Sequence, residues 1–261
     1  MVWLFPIGFF AGAFGTLIGA GGGFVLLPLL LLLYPEEAPE TVTSISLAAV
    51  FFNALSATFA YARAKRIDYR SAAIFSIASS PGAVLGALAT SRMSRSGFDI
   101  LFGSILVLVA IFLAINPGPK STPRTGLADF NPPTRLELKG SMLAYGTSLS
   151  MIFGFISSFL GIGGGFLYVP ALIFFLRFPV HNATATSLCI LTLTAFTGSA
   201  THMAAGLFHQ GMRRVVVLSV GAILGAQVGA KLSDHLRGEW IARALALTLA
   251  LAGFRIIGSV F

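Results

Sequence analysis

Two stretches of this chain could do chemistry with the backbone alone. They are Gly19-Ala20-Gly21-Gly22-Gly23-Phe24 and Gly161-Ile162-Gly163-Gly164-Gly165-Phe166. Four glycines in five positions cost a helix about 1 kcal/mol each relative to Ala, so a helix must break there. Each break falls inside a long apolar run. In a bilayer such opened backbone is tolerated only inside protein or around a cavity. A short apolar helix resumes after each break, with Pro28 and Pro170 expected in its first turns, where a missing N–H costs little. The start of that helix presents unpaired N–H groups and about half a positive charge. Two such starts meeting near mid-membrane would hold a small anion without a fixed cation. The apolar interiors supply no Lys or Arg. Dipoles suit a permeant ion, which must leave as well as bind.

Polar side chains near the breaks extend this candidate site. Thr43-Ser44 and Thr186-Ser187 open the helix that follows each break. Their hydroxyls can donate to anion oxygens, or cap the helix and bond between helices. Asn53, His202 and Gln227 stand where the other half has Phe196, Phe59 and Val84. These three either tune substrate choice or, for His202, carry a proton. The alternative for His202 is that it reaches the membrane interface from a helix end. The substrate-binding set is thus Gly19, Gly21, Gly22, Gly23, Phe24, Thr43, Ser44 and Asn53, with Gly161, Gly163, Gly164, Gly165, Phe166, Thr186, Ser187, His202 and Gln227. Thr192, Thr194, Thr197 and Ser199 either line a path or bond back to their own helix, and the second is expected. No catalytic, metal or cofactor set is read. A hydrolase needs a nucleophile with a positioned base, and a divalent-metal site needs His, Cys, Asp or Glu in the membrane. Only His202 and Cys189 are on offer, and no Gly-Lys-Ser/Thr follows the glycines.

The elements that position these residues are membrane helices. Of 261 residues, 56% are hydrophobic and 10% charged, with a mean hydropathy of +0.89. Soluble domains carry about 25% charged residues. The runs do not alternate apolar with polar, which excludes a barrel. The formal charge of +8 sits mostly in short loops, so topology explains it better than nucleic acid does. The expected class is an all-α, polytopic transmembrane bundle, multi-pass in the cytoplasmic membrane, with the lipid bilayer as its partner. The first run lacks a basic lead and a small-residue cleavage pattern, so it is read as a span and not as a removable signal.

The chain divides into a first repeat over 1–115, a Pro-rich linker over 116–139 and a second repeat over 140–261. Gly19, Gly21, Gly22, Gly23, Phe24 and Pro28 recur 142 positions later, while Thr43-Ser44, Thr58, Gly82 and Gly86 recur 143 positions later. The doubled Gly-x-Gly-Gly-Gly with its downstream proline, Ala185-Thr186-Ser187-Leu188, and Arg70 with Arg213 together resemble the TauE/SafE sulfite exporter (TSUP) family. The likeness spans essentially the whole chain. The first half departs mildly, reading Val42-Thr43-Ser44-Ile45. The resemblance implies export or import of sulfite, sulfonates or similar small sulfur anions; the absence of an ATP motif points to a secondary mechanism, with a proton as a candidate coupling ion. An anion channel and a divalent metal transporter are the alternatives. Oligomeric state has no signature in the sequence.

Length sets the topology. Trp3–Leu33 would span roughly 46 Å as helix and Gly140–Leu176 roughly 55 Å, against a hydrocarbon core of about 30 Å. A hairpin turning at the glycines, followed by three helices, makes each half cross an odd number of times and inverts the second half. A single broken crossing per half gives parallel four-plus-four halves. Inversion is favoured, with the Arg63–Arg70 loop cytoplasmic and the His209–Arg214 loop external. Gly8, Gly12 and Gly15, like Gly82 and Gly86, are expected at close helix contacts.

Overall fold

The structure is a computed structural model that describes residues 3–115, 140–176, 178–206, 211–233 and 238–258. The expected linker, Arg177 and His209 lie outside the described residues. Ten helices and no strand are found among them: α1 (Leu4–Ile18), α2 (Gly23–Leu33), α3 (Pro39–Arg63), α4 (Tyr69–Thr90), α5 (Arg95–Ile115), α6 (Gly140–Leu160), α7 (Gly165–Phe174), α8 (Val180–Ala204), α9 (Met212–Ser233) and α10 (Gly238–Gly258). Within them Pro39–Arg63, Tyr69–Thr90, Arg95–Phe112, Val180–Ala204 and Met212–Ser233 are long and apolar enough to cross a membrane.

Backbone-on-backbone packing holds the bundle. The most extensive pairings are α1 with α9 and α4 with α6, so the first helix of each half lies on the fourth of the other. Glycines make this approach possible. A methyl on Gly12 would stand 2.6 Å from the Ala222 carbonyl oxygen, and one on Gly86 would overlap the Phe155 carbonyl. Gly82, Gly225 and Gly229 are placed in the same way, and Gly8 faces the Leu218 carbonyl. Gly15 differs from its expected role. It packs against Gly21 and Gly22 of its own turn and not against another helix.

The ends of the helices fix their directions. Asn182, at the start of α8, donates to the Arg66 carbonyl in the α3–α4 loop at 3.1 Å, and the Asp68 N–H donates to Thr186 Oγ1 at 3.1 Å. At the opposite end, Gly211 before α9 lies against Ile45 near the start of α3, and Arg214 pairs with Glu37 of the α2–α3 loop. The Arg214 guanidinium also covers the Tyr34 ring at 4.0 Å. Thus α3 and α8 start at opposite ends of the bundle, and so do α4 and α9. The loop over Arg63–Arg70 and the entry to α9 therefore face opposite ends.

Candidate functional site

Both glycine runs form the expected breaks, and the two breaks pack on each other. Gly23 lies against the Ile162 carbonyl, while a methyl on Gly165 would stand 2.6 Å from the Gly19 oxygen and 2.8 Å from Ala20 Cα. Val50 of α3 and Leu191 of α8 flank both Gly21 and Gly163. The new helices begin at Gly23 and Gly165, each preceded by a left-handed glycine, Gly22 at φ 76° and Gly164 at φ 45°. An L side chain avoids that region. Pro28 is the sixth residue of α2, not in its first turn as expected, and Pro170 is likewise the sixth of α7. Each proline removes the donor that would pair the carbonyl of Phe24 or Phe166.

The turn spends some of its donors on itself. The N–H groups of Gly19, Ala20 and Gly21 all converge on the Gly15 carbonyl at 2.9, 2.9 and 3.1 Å. Among the described residues, those of Gly22, Gly23 and Phe24 donate to no protein group. They open α2, whose dipole adds positive potential at that end. In the second turn the Gly165 N–H is tied back to the Gly163 carbonyl, which leaves fewer free donors.

A small cavity of about 10 Å³ touches the first turn. Gly12, Gly21, Gly22, Leu26, Val50 and Asn53 are among its lining residues. That volume is about what one water needs. Asn53 is 1% exposed and its Nδ2 has no partner, while its Oδ1 accepts a long bond from Thr16 Oγ1 at 3.4 Å. A buried amide donor without a partner costs about 1–3 kcal/mol. Here it shares a cavity with the start of a helix.

The other named side chains are placed differently. Thr43 and Ser44 lie in the second turn of α3 and donate to the Glu40 carbonyl of their own helix, while the α3 cap position, Ala38, has no side-chain bond. Ser187 donates to the Gly19 carbonyl at 3.0 Å and faces the Gly165 carbonyl at 3.3 Å, so it ties the two turns together. Thr186 accepts from Asp68 N–H. Gln227 gives its amide to the Ser56 carbonyl and hydroxyl at 2.9 and 2.7 Å, joining α9 to α3 away from the glycines. Phe24 and Phe166 are fully buried beneath the turns. His202 does not reach the interface as its position near a helix end suggested, for it is wholly buried. Thr192, Thr194 and Thr197 bond back to their helix, and Thr194 also meets Ser79 at 2.8 Å, while the Ser199 hydroxyl, expected to bond back as well, has no partner.

Sequence reading missed Ser157 and Ser158. They end α6 just before the second turn, fully buried, with hydroxyls that have no partner. A signal existed: they align with Gly15-Thr16 at the 142-residue offset. It also missed Tyr168, which stands where the first cavity has Leu26 and donates its phenol to the Ser150 carbonyl at 3.2 Å. The apolar groove of about 450 Å³ beside Tyr168, lined by Phe75, Phe153, Leu172 and Phe175, opens between α4, α6 and α7.

Residues 4–256 match the family model for Sulfite exporter TauE/SafE. The chain is 33% identical over 269 residues to "Probable membrane transporter protein YunE" of Bacillus subtilis, covering 98% of this chain and 97% of that protein. It is 25% identical over 262 residues to "Probable membrane transporter protein MJ0441" of Methanocaldococcus jannaschii, covering 96% and 92%. No solved structure matches it.

Proposed function

The chain belongs to the sulfite exporter TauE/SafE family and is a multi-pass membrane transporter, and we propose that it carries small sulfur oxyanions or sulfonates through the cavity at its first glycine turn. One observation carries this reading: the unpaired Asn53 amide and Gly22, whose N–H is free at the start of α2, line one small cavity. Both are donors. Donors at a helix start fit a compact, several-oxygen anion, and they do not fit a metal cation, which needs donor lone pairs.

The cavity is too small for an oxyanion as it stands, so the ion enters when its walls part. The walls come from α1, the first glycine turn, α2, α3 and α9. We read the helix directions as inverted halves, with the two turns meeting at the axis between them. Rocking one set of helices against the other would open the cavity first to one side and then to the other. The mechanism is secondary, since the chain carries no nucleotide motif.

The test is flux by the purified chain in sealed liposomes, with sulfite, methanesulfonate, chloride and a divalent metal offered in turn. The expected result is saturable uptake of sulfite or methanesulfonate and acceleration by the same anion inside. Chloride conductance that never saturates would replace the transporter with a channel. Metal uptake without anion uptake would end the reading.

A further inference from the structure

A polar cluster at the second glycine turn takes no part in the anion cavity. His202, in the last turn of α8, is wholly buried, and neither imidazole nitrogen has a hydrogen-bond partner. The hydroxyls of Ser157 and Ser158 at the end of α6 are buried and unpartnered as well. These groups meet on one seam. A methyl on Gly198, one turn before His202, would stand 2.5 Å from Ser158 Oγ. Gly198 and His202 lie one turn apart and so share a face of α8, which puts the imidazole on the same α6–α8 seam.

The same backbone holds the turn. The Ser158 carbonyl accepts the Gly161 N–H at 3.3 Å, and the Ser157 carbonyl accepts the Ile162 N–H at 3.2 Å. A methyl on Gly164 would stand 3.0 Å from Ser157 Oγ. The first half solves the matching position permanently: the Thr16 carbonyl takes the Tyr61 phenol at 3.2 Å. Among the described residues, the second half instead places a histidine beside that position.

We propose that His202, backed by Ser157 and Ser158, is the proton site of this transporter, and that one proton crosses with each anion. The proposal rests on the anion-transport reading above. Buried polar groups are normally paired, so three orphans on one seam point to a ligand that pairs them. A proton, delivered through water, does so. Imidazolium donates from both nitrogens, and the Ser158 carbonyl and the serine hydroxyls can accept. The titratable residues on α8 and on the helices packed against it include His181 and Cys189 of α8, Glu40, Tyr61 and Arg63 of α3, Tyr69 and Arg70 of α4, Tyr145 of α6, Tyr168 of α7, and Arg243 and Arg255 of α10.

Coupling follows from the contact between the turns. The second turn touches the first at Gly23 and Gly19, so a positive charge beside one favours an anion at the other. The imidazole nitrogen takes a proton from water on one side and returns it to water on the other. A singly charged anion then crosses with no net charge.

The test uses the full chain in sealed liposomes with a trapped pH dye, the membrane potential clamped at zero, and sulfite and methanesulfonate as probes. Methanesulfonate stays ionised across the pH range, so its accumulation cannot come from diffusion of its neutral acid. One-to-one coupling under an inward gradient of one pH unit gives at most about tenfold accumulation, with internal acidification alongside. His202→Gln should lose that accumulation while keeping anion–anion exchange in the absence of a gradient. The Ser157→Ala, Ser158→Ala double variant should keep exchange and shift the pH dependence of accumulation, and it decides the matter if His202→Gln does not fold. Accumulation that survives in His202→Gln, or an unshifted profile in the serine variant, overturns the assignment. Exchange without accumulation in the unmodified chain shows that no proton is coupled. Absence of exchange with both anions instead removes the anion reading itself.

Discussion

Replacing Asn53 by Leu should separate binding from stability, because the two are expected to move in opposite directions. The Asn53 amide nitrogen is buried without a partner. An anion in the adjoining cavity gives it one. A hydrogen bond to a charged group contributes about 1.5–3 kcal/mol, which corresponds to an affinity weaker by about 10- to 150-fold when the donor is deleted. Stability should behave otherwise. Leu has a similar volume and removes an unpaired amide whose burial costs about 1–3 kcal/mol. What it loses is the marginal contact from Thr16 Oγ1 at 3.4 Å. The melting temperature of the ligand-free protein should therefore hold or rise. Gln227→Leu is the control: its amide is fully engaged with Ser56 at 2.9 and 2.7 Å. That variant should melt lower by several degrees, the shift expected from about 1–2 kcal/mol, and keep its affinity. The assay is sulfite or methanesulfonate binding by calorimetry, with thermal unfolding of the same preparations. If Asn53→Leu binds as tightly as the unmodified chain, or if its affinity falls only as far as its stability falls, the cavity is not the anion site.

Three further outcomes follow. In a Cys189→Ser background, Arg70→Cys and Met212→Cys should react with a membrane-impermeant thiol reagent from opposite sides; labelling of both from one side would rule out inverted halves. Ser187→Ala strips the donor from the Gly19 carbonyl and should cost about 1 kcal/mol of stability while slowing flux, since it unties the two turns; unchanged unfolding and flux would show that the bond is idle. Glu37→Gln should remove the pairing with Arg214, which is only partly buried, and cost no more than about 1 kcal/mol, read as a small fall in melting temperature that shrinks with added salt.

What could be read from the sequence was what local cost dictates. Runs of glycine break a helix wherever they stand, and α2 and α7 begin within one residue of the expected start. Small-residue spacing likewise foretold the close contacts at Gly82 and Gly86, although not that their partner is the first helix of the other half. Partnering of polar side chains was a different matter. Asn53 and Gln227 look alike on the page, for each is an amide facing an apolar counterpart in the repeat. Tertiary packing gives the Gln227 amide nitrogen a partner in Ser56 and leaves the Asn53 amide nitrogen without one, and no local rule tells them apart. Thr43-Ser44 and Thr186-Ser187 match in sequence, yet the first pair bonds its own helix and the second reaches across to both turns and the α3–α4 loop.

The glycines call for a separate argument, because function and packing cannot be told apart there by adding a methyl group. Sequence alone suggests that Ala at Gly22 or Gly164 would spoil transport while Ala at Gly12 or Gly86 would spoil packing. In the structure every one of these positions meets a neighbour: the Ala11 carbonyl at Gly22, Ser157 at Gly164, the Ala222 carbonyl at Gly12 and the Phe155 carbonyl at Gly86. At Gly12, Gly22 and Gly86 the glycine lets one backbone approach another, and at Gly164 it makes room for the Ser157 side chain; that close fit both holds the helices together and presents the peptide groups of the turn. Substituting Ala at any of the four should thus lower stability and flux together. Only groups that bear on the cavity without carrying the packing can divide the two roles, and among the described side chains the Asn53 amide meets that condition because nothing in the protein depends on its nitrogen.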